Sequence, residues 1–331
     1  MKGYTGVLEN GEAVYYVDRK RWLWSLSVVY PLQPFISIWL HYLTGNELWF
    51  LLPFFGNYVV APFLDWAIGE DQNNPPEEVV MQLDRDPYYR RLTYIVVPLH
   101  FITLFGSAWY ALTQPLSWWG FALLAIVAGL TAGLAINTAH ELGHKNSKLE
   151  KTLAKIVLAV PGYGHFSLEH NRGHHMDVST PDDPASARMG ESFYGFALRE
   201  IPGAFQRAWQ IEKERLALRD RPIWHRSNTI LQSYAITAVI GLLLIGLFGW
   251  QAIPFLLLHN LFAYLQLTSA NYVEHYGLLR AQDADGRYER CQPHHSWNSN
   301  HVVSNLVLFH LERHSDHHTN PLRRYQSLRH F

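Results

Sequence analysis

The feature that most constrains this chain is the segregation of its apolar residues into six long stretches, at approximately 22–43, 48–68, 92–113, 116–139, 228–249 and 252–273. A hydrocarbon core ~30 Å thick takes roughly 20 helical residues to cross, and in lipid the backbone N–H and C=O groups must be satisfied within the segment. Each stretch meets that length. The mean hydropathy of -0.09 conceals them, because long polar stretches average against the apolar ones. The 12 Trp, 18 Tyr and 17 Phe suit a bilayer protein with aromatic residues at its interfaces. The sequence therefore predicts an all-α integral membrane protein built on a six-helix transmembrane bundle. Pro31, Pro34, Pro53, Pro62 and Pro98 fall inside the stretches and predict kinks.

Charge assigns the sides. The connections TGNE, QPLS and GWQ carry no Lys or Arg, whereas the N-terminal segment carries 4, residues 69–91 carry 3, residues 140–227 carry 13 and the C-terminal tail carries 7, which is the whole complement of 27. By the positive-inside rule both termini and the long segments 140–227 and 274–331 are expected in the cytoplasm, as one multi-pass domain spanning 1–331. The first 21 residues are polar, so no cleavable signal peptide is expected. Cys291 is the single cysteine, which excludes an internal disulfide framework and any C-x-x-C metal site. A net charge of -1 gives no reason to expect a nucleic-acid partner.

Chemistry enters with the histidines, of which there are 19. "HELGH" supplies His140 and His144, "EHNRGHH" supplies His170, His174 and His175, "NYVEHYG" supplies His275, and "RHSDHH" supplies His314, His317 and His318. H-E-x-x-H is also the pattern of zinc proteases, in which two His at i and i+4 hold the metal and the Glu is the general base. Nine clustered imidazoles are too many for one zinc, which takes four ligands. They suit two metals with four or five nitrogens each, and imidazole alone does not choose among Fe, Zn, Cu and Ni. Glu141, Glu169, Asp177, Glu274, Glu312 and Asp316 are the nearest acids in sequence and candidates to orient the rings, as is His310, one turn before His314. His41, His100 and His259 read as packed within spans, and His165, His225, His294, His295, His301 and His330 as loop or surface residues. In span 2, Phe54, Tyr58 and Asp65 can share a face with Asn57 adjacent, either lining a channel or meeting lipid and neighbouring helices.

The ordered boxes H-x-x-x-H, H-x-x-x-H-H and H-x-x-H-H resemble those of integral-membrane non-haem di-iron enzymes. The longer strings "NTAHELGHK", "EHNRGHHMDVSTPDDPASARMGES", "LTSANYVEHYGLLR" and "SWNSNHVVSNLVLFHLERHSDHH", with "FLDWAIGEDQNNPPEEVV", closely resemble the bacterial alkane 1-monooxygenase family. The resemblance implies that the nine His hold two iron ions in the cytoplasmic cap, with HELGH no protease box. It implies hydroxylation of the terminal methyl of medium- to long-chain n-alkanes with O₂, at the bacterial inner membrane. It also implies electrons from rubredoxin, fed by an NAD(P)H-dependent rubredoxin reductase, since this chain has no Gly-rich nucleotide fingerprint or cysteine pairs of its own. Lys145, Lys148, Lys151, Arg323 and Arg324 are then candidates for a docking patch, or simply obey the positive-inside rule. Family members usually continue past the point where this chain stops, at "RRYQSLRHF", so either a C-terminal segment is missing here or the tail is naturally short. The readings left open are a desaturase, fatty-acid hydroxylase or xylene-type hydroxylase within the superfamily, and outside it an intramembrane zinc protease or a metal transporter.

Overall fold

The computed structural model describes residues 2–331. Six helical spans run Leu23–Thr44, Glu47–Ile68, Pro87–Thr113, Trp118–Gly143, Thr229–Phe248 and Ala252–Glu274, here spans 1 to 6. Two boundaries differ usefully from expectation. Span 3 starts at Pro87, because the Asp86 side chain accepts from Tyr88 N and proline at the first helical position costs no hydrogen bond. Span 4 continues to Gly143, so His140 lies on the helix itself and His144 at its C-cap. Pro98 sits inside span 3. The other prolines break spans 1 and 2 into short α, 3-10 and π pieces, including a π turn at Gly56–Val60.

Span 4 is the axis. It packs along spans 3 and 6, and its small residues permit the approach: a Cβ on Gly129 would stand 2.3 Å from the His259 carbonyl oxygen, and one on Gly133 2.6 Å from Gln266 Cγ. Between helices in lipid such close packing replaces the hydrophobic effect as the source of association. Spans 2 and 5 turn large apolar residues outward, among them Phe63, Val239, Leu242 and Leu247. Trp118 and Trp250 are exposed at the short-loop ends of spans 4 and 5, as interfacial aromatics are.

The polar segments form a cap over one end of the bundle. The one departure from an all-helical reading is an antiparallel hairpin, Gly3–Val7 with Ala13–Val17. Asp86 pins it: its carboxylate accepts from Tyr4 Oη at 2.6 Å, Lys2 Nζ at 2.9 Å and Arg21 NH1 at 2.8 Å. These donors hold the carboxyl well below the ordinary carboxylate range. Helix Lys148–Val157 follows span 4, then the helical run Phe166–Asp177, whose middle, His170–His174, is a π turn. Helix Phe193–Ala217 crosses beside it. The segment Val302–Val307 is held from the membrane side by Asp65 of span 2, whose carboxylate accepts from Val303 N at 2.7 Å, Ser304 N at 3.2 Å and Ser304 Oγ. Beyond it Phe309 and His310 take left-handed φ of 53° and 52°, turning the chain into the short helix His314–Thr319.

Asp65 therefore anchors the last histidine box. Asp65→Ala removes this cap and is expected to cost about 1–2 kcal/mol. In detergent it should lower Tm and speed amide exchange at Val303 and Ser304, while Asp65→Asn, which keeps one acceptor, loses less. Unchanged exchange in the alanine variant would contradict the role.

Candidate metal centre

Nine imidazoles from four chain segments meet where the cap sits on spans 4 and 6. They sort into two groups whose ligand atoms all lie within 4.8 Å of one another: His140, His144, His170, His175 and His317, and His174, His275, His314 and His318. Eight are buried and His175 is partly so. The division follows local geometry. His140 and His144, and His314 and His318, are i and i+4 on an α-helix and fall in the same group. In the π turn the hydrogen bond runs to i+5, so His170 and His175 are partners with Nε2 atoms 3.0 Å apart, while His174 faces the second group.

The spacing is what a shared cation sets. Nitrogens ~2.1 Å from one ion and at right angles to each other stand about 3.0 Å apart. Here the Nε2–Nε2 separations are 2.9 Å for His140–His317, 3.1 Å for His175–His317, 3.1 Å for His275–His314 and 2.9 Å for His314–His318. Nε2 of His144 and of His174 are buried without a hydrogen-bond partner, as atoms turned toward an ion would be. Burial pushes His144, His170, His175, His314, His317 and His318 well below the ordinary imidazole range, which keeps their lone pairs free. The two groups adjoin: the His175 and His318 rings stack with centroids 4.4 Å apart. The donor set fits two metal ions of imidazole preference, one with five nitrogens and one with four.

The surrounding carboxylates differ in whether they reach an imidazole, and Asp183, which does, also pairs with Arg207 at 3.2 Å. Asp183, absent from the sequence candidates, accepts from His174 Nδ1 at 2.9 Å, from Ser186 Oγ at 2.6 Å and from Ala185 N at 3.1 Å. It fixes the tautomer that frees His174 Nε2, and its own carboxyl is held low by His174 and these donors. His275 Nδ1 is directed likewise at the His295 carbonyl, 3.4 Å away. Glu274 Oε2 lies 3.4 Å from His314 Nε2. The other candidates meet cations or amides instead: Glu141 pairs with Lys145 at 3.2 Å, Glu169 stands 3.9 Å from Arg207, Asp177 pairs with Arg207, Asp316 pairs with Arg323 at 3.1 Å, and Glu312 accepts from Asn305 Nδ2 at 3.3 Å. His310 is outside both groups, with Nδ1 2.7 Å from the Tyr325 carbonyl and Nε2 3.0 Å from Lys20 Nζ. Glu200 was also missed. It is buried in the cap helix, accepts from Thr268 Oγ1 at 2.8 Å and Asn271 Nδ2 at 3.2 Å, and is raised to about 7 by burial. The sequence signal for Asp183 was faint, because Asp182 beside it is exposed and looks the same on paper.

His41, His100 and His259 are hydrogen-bonded within the bundle, to Tyr110, Thr138 and Asn260. Of the residues expected in loops or at the surface, His165 and His295 are buried, His165 in a turn against Tyr234 Oη at 2.8 Å. His295 also approaches Glu289 and His294 closely enough to suggest a third metal group. Its Nδ1 accepts from Gln292 N at 2.9 Å, however, so the proton sits on Nε2 and faces Glu289 at 3.3 Å. A hydrogen bond from a neutral imidazole to a carboxylate accounts for that cluster. The basic docking patch is corrected. Lys145 is buried on Glu141, Arg323 is tied to Asp316 and Glu77, and Arg324 to Glu150, leaving Lys148 and Lys151 exposed.

A cavity of about 80 Å³ opens directly on the groups, between Gly133, Ile136 and Asn137 of span 4 and Gln266, Ala270 and Asn271 of span 6, with His140, His170 and His314 at its head. Leu308 and Leu311 close it from the cap. Phe54, Asn57 and Tyr58 are outside this lining: Phe54 and Tyr58 are half-exposed, Asn57 accepts from Tyr30 Oη, and Tyr58 Oη donates to Gln266 on the cavity wall.

The comparisons agree with this geometry. Residues 116–331 match the fatty acid desaturase family model. An alkane 1-monooxygenase of Pseudomonas putida is 55% identical over all 331 residues, covering 82% of the relative, and one of Ectopseudomonas oleovorans is 56% identical over 96% of this chain and 79% of the relative. Alkane 1-monooxygenase 1 of Alcanivorax borkumensis is 54% identical over 96% of this chain and 78% of its own length. A multi-pass membrane enzyme with a histidine-lined metal centre, the chain belongs to the fatty acid desaturase family and, within it, to the alkane 1-monooxygenases.

Proposed function

We propose that this protein hydroxylates the terminal methyl of medium- to long-chain n-alkanes with O₂ and two electrons from rubredoxin. It does so as a single domain, 1–331, in the bacterial inner membrane with both termini cytoplasmic. The observation that carries the reading is the two converging imidazole groups at the head of an apolar intramembrane cavity. An unactivated C–H bond offers no acidic proton and no electrophilic carbon, so side-chain acid–base or nucleophilic catalysis has nothing to act on. Two bound iron ions, held by His140, His144, His170, His175 and His317 and by His174, His275, His314 and His318, supply the O₂ chemistry. The net reaction is RH + O₂ + 2 e⁻ + 2 H⁺ → ROH + H₂O.

What the chain itself contributes is placement. The alkane partitions into the bilayer, and with no polar handle on it, shape alone selects the terminal carbon. Span 4 and span 6 form the slot, and Gly133 keeps it open beside Gln266. Asn137 Nδ2 donates to the Leu308 carbonyl at 2.7 Å, which seats the closing leucines against span 4. Phe54, Asn57 and Tyr58 line the continuation toward lipid, coupled to the slot through Tyr58 and Gln266. Asp183 and the His295 carbonyl hold the rings of His174 and His275 in the orientation that turns Nε2 inward.

The test is product analysis. Purified iron-loaded protein, given rubredoxin, its reductase, NAD(P)H, octane and ¹⁸O₂, should yield 1-octanol carrying one ¹⁸O. Desaturation of a fatty acyl substrate with no labelled alcohol would overturn the reading in favour of a desaturase. The slot makes a second prediction. Ala270→Leu should shorten the preferred alkane, lowering turnover of long relative to short chains by about tenfold, the worth of roughly two methylenes at ~0.8 kcal/mol each. A chain-length profile unmoved by this change would remove the slot from the substrate path.

A further inference from the structure

Electrons must enter from outside the chain, and transfer rates fall steeply with distance, so the donor has to settle where an imidazole of the centre lies nearest the aqueous surface. A pocket of about 460 Å³ does reach the centre from the cap, with His144 in its lining. Its walls carry Lys151, Lys155 and Arg172 and no carboxylate, around an apolar patch of Leu158, Leu168 and Leu322. Lys151 and Arg172 are exposed and form no ion pair among the described residues, and Lys155 Nζ donates to Gln232 Oε1 at 2.5 Å. The contrast with the neighbouring cations matters. Lys145, Arg323 and Arg324 are each neutralised by an acid of the same chain, whereas Lys151 and Arg172, at the pocket over His144, are not.

We propose that this pocket is the docking surface for the electron donor, an acidic one-electron carrier protein whose carboxylates meet Lys151 and Arg172 while its redox centre faces His144. Apolar centre and charged rim are the composition of a transient encounter surface, in which complementary charge governs association rate more than final affinity. Two dockings deliver the two electrons that, with two protons, reduce one O₂ to the inserted oxygen and water. The inference rests on the hydroxylase reading above. Thr229, the first residue of span 5, also borders the pocket. An anionic lipid headgroup would meet the same cations there, but His144 in the lining favours the carrier.

The experiment compares two routes of reduction in zwitterionic nanodiscs: rubredoxin, and dithionite with a small dye mediator. The double variant Lys151→Glu, Arg172→Glu should raise the KM for rubredoxin by about tenfold at low ionic strength, with the gap closing as salt rises. Dithionite-driven octanol formation should be unchanged, and Arg219→Glu, an exposed reversal outside the pocket, should leave both routes as they were. An unaltered KM for rubredoxin overturns the docking surface, as does an equal fall by both routes, which would mark the cations as scaffolding of the centre. A defect that appears only in anionic nanodiscs overturns it in favour of a lipid site. If the unmodified protein makes no alcohol even with dithionite, the hydroxylase reading fails and takes the docking surface with it.

Discussion

Everything in this structure depends on turning neutral imidazole nitrogens toward common points inside a buried, low-dielectric site. Burial keeps the rings neutral, and neutrality is what makes them ligands. The cost is that converging lone pairs gain nothing from one another, so the convergence has to be imposed by the scaffold or resolved by a cation. The scaffold does its part through four segments that share no local contacts in sequence: the end of span 4, the π turn, the end of span 6 and the helix His314–Thr319. Asp65, Asp183 and Glu200 fasten these segments to the bundle and to each other.

The same arrangement separates two supplies that would not mix. In the proposed function, hydrocarbon arrives through the apolar slot between spans 4 and 6. A second pocket, reaching His144, has an apolar floor and a rim of positive charge. His140, His170 and His314 face the first and His144 the second, so the centre is a partition between lipid and water. A soluble enzyme acting on an insoluble alkane would have to extract it from the membrane first.

Much of this was legible in the sequence for physical reasons. Span length is fixed by bilayer thickness, and i, i+4 spacing places His140 with His144 and His314 with His318 on any α-helix. The π turn was not legible, since H-x-x-x-H-H on an ordinary helix would pair His170 with His174, and only the extra backbone residue per turn sends His174 to the other group. Asp183 was hidden because a buried and an exposed aspartate are adjacent and chemically identical in a string of letters. Lys145 misled for the converse reason: a lysine after a membrane span reads as a solvated charge, but here Glu141, one turn earlier, draws it inside. The hairpin went unseen because the group that holds its first strand, Asp86, lies some eighty residues away in sequence.

The measurement that tests the central claim most directly is metal content per chain on detergent-purified protein, determined for iron and zinc together. The proposed function requires about two Fe and negligible Zn, a choice that nine imidazoles do not make by themselves. His174→Ala and His170→Ala, which remove a ligand from different groups, should then each deplete the site without unfolding the bundle. About one Zn per chain, with no iron, would contradict the account and return HELGH to its reading as a protease box.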